Sequence, residues 1–144
     1  RRMAFHEKSS WVVLVVSVPV LLIYALLVVP QLLSVPVTEI TWVPPMAFAI
    51  VGFVFANVLG NIVAAMSNPA EVEQGDLRDR QINQYGVRVG SWLIVAASTV
   101  AMVLAMVSAP YFWIGNALFV GGMAASLTSA IAKIAAYRGT FQPW

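Results

Sequence analysis

The sequence predicts an all-α integral membrane protein, a four-helix bundle with both termini in the cytoplasm. Three observations carry that expectation. The chain has 144 residues, 60% of them apolar and only 10% charged, where an ordinary soluble domain has about 25% charged residues. Its mean hydropathy is +0.85. Its apolar residues gather into four long runs, and its eight lysines and arginines fall on one side of a chain that crosses four times. A soluble domain this small has too much surface for its volume to hide so many apolar side chains. The solvent for most of the chain is therefore lipid, and residues 1–144 are read as a single transmembrane domain.

The first run spans about residues 11–35, "WVVLVVSVPVLLIYALLVVPQLLSV". It exceeds the ~20 residues a helix needs to cross a bilayer core. It is too long for a signal-peptide core and lacks a small-residue cleavage site, so it is expected to remain as a span. Met3 is the expected natural start. Pro19 removes a backbone hydrogen bond and should bend the helix. The second run covers about 45–67, the third 91–109 and the fourth 111–137. Long unbroken runs without two-residue alternation argue for helices over membrane strands. Ser108–Pro110, "SAP", makes a tight turn, so spans three and four form a hairpin.

The cations set the orientation. Arg1, Arg2 and Lys8 precede span one; Arg78, Arg80 and Arg88 lie between spans two and three; Lys133 and Arg138 end span four. The opposite loops carry only Glu39. The positive-inside rule then puts both termini in the cytoplasm. Trp11, Trp42, Trp92, Trp113 and Tyr137 sit near span ends, as interfacial anchors do.

Packing between helices in lipid relies on small residues, because the tails are as apolar as leucine. Span two carries Gly52, Ala56, Gly60 and Ala64 on one stripe. Span three carries Ala97, Ala101 and Ala105, and the stripe runs back through Gly90 and Gly86. The helix of span three is thus expected to begin in the polar connector, residues 68–90, and enter the membrane unbroken. Span four is small on one side (Ala117, Gly121, Ala125, Ser129) and large on the other (Phe119, Met123, Leu127, Ile131, Ile134). The small sides are read as protein contact, the large ones as lipid or subunit contact. The breadth of small residues on span four points to an oligomer.

Within the connector, "GDLRDRQINQYG", Gly75–Gly86, is the most polar stretch. Asp76 can cap a helix with Asp79 in its first turn, and Asp76 and Arg80 are then i,i+4 neighbours. Either this is a solvated helical extension with weak local ion pairs, or it locks onto "FHEKSSW", Phe5–Trp11, with Glu7 and Lys8 complementing Arg80 and Asp79. Glu7, Lys8, Asp76, Arg78, Asp79 and Arg80 are the candidate contacts for a partner or for anionic lipid.

Little else in the chain suggests chemistry. Without cysteine there is no disulfide, thiolate or cysteine-ligated metal. His6, Glu7, Asp76 and Asp79 would hold a divalent ion only if their segments met, and Arg78 and Arg80 compete for the same carboxylates. A structural ion pair is the stronger expectation, with no metal and no cofactor. The spans hold no ionisable residue at depth, as proton-coupled transport would require; Lys133 is near enough to the interface to snorkel. Asn57 and Asn61 are the deepest strong polar groups. They are expected to bridge helices by hydrogen bonds or to line a polar pocket for a small neutral or lipid-like ligand. Asn116 is expected to cap its helix or touch headgroups. A net charge of +2 implies no nucleic acid. With its one histidine at position 6 the chain offers no Ser/His/Asp constellation, and no enzyme is expected.

Three stretches carry a resemblance: "FHEKSSWVVLVVS", "DLRDRQINQYGVRVG" and "YFWIGNALFVGGMAASLTSAIAKIAAYR". Phe5, Glu7, Lys8, Ser9 and Trp11, then Asp76, Arg78, Asp79 and Ile82, then Phe112, Trp113, Ile114 and Asn116 carry its pattern. The chain resembles a family of small bacterial four-span inner-membrane proteins of uncharacterised function. The resemblance implies the topology and the bacterial cytoplasmic membrane, and it favours treating the two charged elements as a unit. The expected function is non-enzymatic: a subunit, accessory or assembly protein acting through its cytoplasmic charged face. The alternative is a channel or carrier for a small neutral or lipid-like compound, with Asn57 and Asn61 lining the path. Expected partners are membrane lipids and copies of the chain or a larger membrane complex.

Overall fold

A computed structural model describes residues 5–67 and 77–139. Among them there is no strand; four long helices make up nearly everything. Helix α1 is Phe5–Ser34, α2 is Val43–Met66, α3 is Leu77–Met106 and α4 is Tyr111–Arg138. A 3-10 turn, Val37–Glu39, sits between α1 and α2. Each helix is long and apolar enough to cross a membrane.

Local sequence explains the ends. α1 runs through Pro19 and Pro30 without interruption, and both rings stand on its exposed side. α2 opens with Pro44 and Pro45, where a missing N–H costs nothing because the first turn has no carbonyl to bond. α3 is one continuous helix from the polar connector into the apolar run, as its small-residue stripe predicts. It stops at a turn in which Ser108 takes a left-handed conformation, φ 54°. There the Ser108 and Ala109 amides donate to the Ala105 and Leu104 carbonyls at 3.0 and 2.9 Å, satisfying the last turn. Pro110 then leads directly into α4.

α1 and α4 are the central pair. α2 packs on the flank of α1, and α3 on the flank of α4. The α3–α4 seam is the tightest. An added Cβ at Gly90 would lie 2.9 Å from the Ala125 carbonyl oxygen, and one at Gly86 would lie 2.9 Å from that of Ser129; Gly121 sits directly against Ala97. Small residues on both helices let the backbones approach this closely. On α2 the stripe is only half used: Gly60 sits against Val12 of α1, while a Cβ added at Gly52 would meet no other helix within 4 Å.

The large side of α4 does not face lipid. Phe119, Met123 and Ile134 are buried, Leu127 is half-buried and only Ile131 is exposed. The cause is position in the bundle. α3 covers the small side of α4, and α1 covers the large side, where Phe119 meets Tyr24 with ring centroids 4.7 Å apart. The main core cluster joins Tyr24 and Val28 of α1, Ile40, Met46 of α2, and Phe112, Phe119 and Met123 of α4. The outward faces of α2 and α3 stay apolar and exposed, including Val51, Phe55, Val58 and Ile62, and Val95, Met102 and Val103.

Candidate functional site at the polar end of the bundle

The start of α1, the end of α2, the start of α3 and the end of α4 meet at one end of the bundle. Lys8 Nζ reaches Ser67 Oγ at 3.4 Å. Arg138 stacks over the Trp11 ring, 5.1 Å from its centroid, a cation–π contact. The described cations, Lys8, Arg78, Arg80, Arg88, Lys133 and Arg138, all lie toward this end.

Asp79 organises it. On α3 the inward stripe is Asp79, Ile82, Gly86 and Gly90, spaced three and four apart, all buried. Asp79 is only 9% exposed. Its Oδ1 accepts a hydrogen bond from the Tyr137 hydroxyl of α4, and its Oδ2 lies 3.7 Å from His6 Nε2 of α1. One turn on, Ile82 is fully buried against Ala136 and Tyr137. A buried carboxylate needs such partners, because an unpaired charge away from water is costly. Arg78 and Arg80, on either side of Asp79, are exposed.

The connector and the N-terminal element do meet, through His6 and Asp79. Among the described residues no ion pair joins Glu7 to Arg80; Glu7 and Lys8 are half-buried. Asp76 lies outside the described residues. Among the described residues no three carboxylates or histidines converge to hold a metal. Tyr137, expected as an interfacial anchor, is instead the buried donor to Asp79. Its only sequence signal was its place at the end of span four.

The two asparagines of α2 bond within their own helix. Asn57 Nδ2 donates to the Phe53 carbonyl at 2.9 Å, and Asn61 Nδ2 to the Asn57 carbonyl at 2.8 Å. Within the apolar part of the bundle a hydrogen bond between helices is made elsewhere: the Tyr24 hydroxyl of α1 donates to Asn116 Oδ1 of α4 at 2.6 Å. Asn116 thus serves the core and not the headgroup layer. Its Nδ2 is taken up by the Phe112 carbonyl at 2.9 Å.

Asn57 Oδ1 is buried with no hydrogen-bond partner. The Asn57 residue borders a cavity of about 280 Å³ between α1, α2 and α4, lined among others by Ser9 and Val13, and by Ser126, Ser129 and Lys133. Sequence reading singled out Asn57 but neither the three serines nor Lys133 as companions. Ser126, Ser129 and Lys133 share one face of α4 at spacings of three and four, but no local pattern links them to Ser9 of α1 or Asn57 of α2.

Fold and site together define a class: a four-helix bundle whose helices are each able to cross a membrane, with a buried carboxylate and a polar cavity gathered at its charged end. No protein-family model matches the chain, and no curated protein or solved structure is significantly similar to it.

Proposed function

We propose that this is a multi-pass protein of the bacterial inner membrane, with both termini cytoplasmic, acting without catalysis as a subunit or accessory protein. Its charged end is the contact surface for an acidic region of a partner protein, and the apolar outer faces of α2 and α3 admit further helices or a second copy. The supporting observation is the sorting of charge around Asp79. The carboxylate turns inward to Tyr137 and His6, and Arg78 and Arg80 stay outside. Among the described residues the outward charge at the start of α3 is therefore positive, and it stands on a helix packed against α4. Fixing a contact surface before binding lowers the ordering cost of association.

In-cell cross-linking from a position beside Arg80 tests this. Arg78→Glu with Arg80→Glu should lower the yield of a defined cross-linked partner by about tenfold or more, since like charges across an interface cost several kcal/mol. The protein's own abundance should not change. An undiminished cross-linked product in the double variant refutes the contact surface.

A second function is favoured by Asn57, which lines the cavity and whose Oδ1 is buried without a partner. Here the protein binds or carries a small ligand, neutral or lipid-like, with Asn57 at the site and Asn61 one turn further along α2, outside the cavity lining. Asn57→Leu with Asn61→Leu should then abolish ligand copurification and leave the bundle assembled.

A further inference from the structure

The cavity between α1, α2 and α4 holds an unusual set of unused polar groups. Buried hydroxyls in these helices donate to the carbonyl one turn back, as Ser10 does to His6 at 2.8 Å and Ser17 to Val13 at 2.6 Å. Ser9, Ser126 and Ser129, which line the cavity, make no such bond among the described residues. Lys133 lines it too, with no hydrogen bond or ion pair among the described residues. Its methylene stem lies across Gly86 of α3, where any side chain would displace it. Asn57 adds the buried, unpartnered Oδ1. The lining thus brings together one lysine, three serine hydroxyls without a partner among the described residues, and Asn57 with its buried acceptor. Val13, Phe53 and Ala130 supply the apolar remainder.

The depth of the cavity follows from the α3–α4 seam. Gly86 and Gly90 lie against Ser129 and Ala125, so Arg88 is level with about Leu127 on α4. Arg88 is exposed on an outer helix. A guanidinium facing outward does not stay in hydrocarbon when it can reach the headgroups. From Arg88 to the end of α3 at Met106 is roughly 27 Å of helix at ~1.5 Å per residue, close to the ~30 Å of a hydrocarbon core. Ser126, Ser129 and Lys133 therefore sit at the level of the phosphate layer on the charged side.

We propose that this cavity binds a phosphate ester that also carries a hydrogen-bond donor, such as a glycerol hydroxyl. The inference rests on the ligand-binding function above and replaces its neutral ligand by an anionic one. The phosphate oxygens take the Lys133 ammonium and the hydroxyls of Ser9, Ser126 and Ser129. A lysine acts on phosphate as a point charge, and the phosphate oxygens have acceptor capacity for all of the surrounding hydroxyls. The ligand's own O–H or N–H donates to Asn57 Oδ1. The same chemistry is presented by a phospholipid headgroup and by a soluble glycerol phosphate.

Native mass spectrometry of the full chain, delipidated in mild detergent, tests it with four probes. These are dioleoyl phosphatidylglycerol, dioleoyl phosphatidylcholine, dioleoylglycerol and glycerol 3-phosphate. Phosphatidylcholine keeps the phosphate but has no donor; dioleoylglycerol keeps the hydroxyl but has no charge. Phosphatidylglycerol should bind about tenfold or more tightly than either, since one charge-assisted or buried hydrogen bond is worth that much. Lys133→Met should lose about tenfold for phosphatidylglycerol, and Lys133→Arg should retain most binding. Ser126→Ala with Ser129→Ala leaves the Gly86 contact intact and should also weaken binding, which keeps the test valid if Lys133→Met does not fold. Asn57→Leu should erase the preference over phosphatidylcholine.

Competition by glycerol 3-phosphate identifies a soluble ligand; its failure to compete identifies the lipid. Equal binding of phosphatidylglycerol and phosphatidylcholine by the unaltered protein overturns the proposal, as does full binding by a folded Lys133→Met variant. If dioleoylglycerol binds best, the ligand-binding function stands and its anionic form falls. If no probe binds, both fall.

Discussion

Gly90 gives the sharpest test of how this bundle is held together. It is buried at the α3–α4 seam, where an added Cβ would stand 2.9 Å from the Ala125 carbonyl oxygen and 3.1 Å from the Ser129 Cβ. Both neighbours belong to α4, and the nearer is backbone, which cannot rotate aside. Gly90→Ala must therefore push α3 away from α4 by a few tenths of an ångström. Overpacking of this kind costs about 1–3 kcal/mol. The substitution also gains up to about 1 kcal/mol of helix propensity, so Gly90→Ala alone confounds two effects. Gly52→Ala separates them. Gly52 is also within a helix, and nothing lies within 4 Å of its Cβ position, so it takes the propensity gain without the clash. The difference between the two variants should be about 1–3 kcal/mol, with Gly90→Ala the less stable. Reversible unfolding by sodium dodecyl sulfate in mixed micelles, followed by circular dichroism, reads it. Equal midpoints for the two variants would refute the close α3–α4 contact.

The Asp79 site makes a second stability prediction. Tyr137→Phe removes the hydroxyl that serves Asp79 Oδ1 and leaves a carboxylate only 9% exposed with His6 as its remaining described partner. It should destabilise by about 1–3 kcal/mol, and Asp79→Asn, which removes the charge but keeps an acceptor, by less. The same unfolding assay compares them, and a neutral Tyr137→Phe would show that the hydroxyl contributes nothing. Topology is tested separately by Glu39→Cys and Arg80→Cys, since the chain has no cysteine of its own. A membrane-impermeant maleimide added outside spheroplasts should label the first and spare the second; labelling of both from one side refutes four crossings.

The sequence alone determined the solvent and the elements. Four apolar runs of sufficient length can satisfy their backbone polar groups in lipid only as helices, and the chain forms four. The small residues of spans three and four marked their shared seam, because close backbone approach leaves a compositional trace at Gly86, Gly90, Ala97, Gly121 and Ala125. Tertiary structure alone decided which faces are inside. In water, an apolar face announces burial; in lipid, phenylalanine or methionine suits a neighbouring helix and an acyl chain equally. The large side of α4 therefore carried no mark of its burial against α1. Polar partnerships were equally hidden. Asp79 and Tyr137 are 58 residues apart, and Tyr24 and Asn116 are 92 apart. A hydrogen bond formed across such separations depends on which helix lies beside which, and that order is fixed by the fit of whole surfaces.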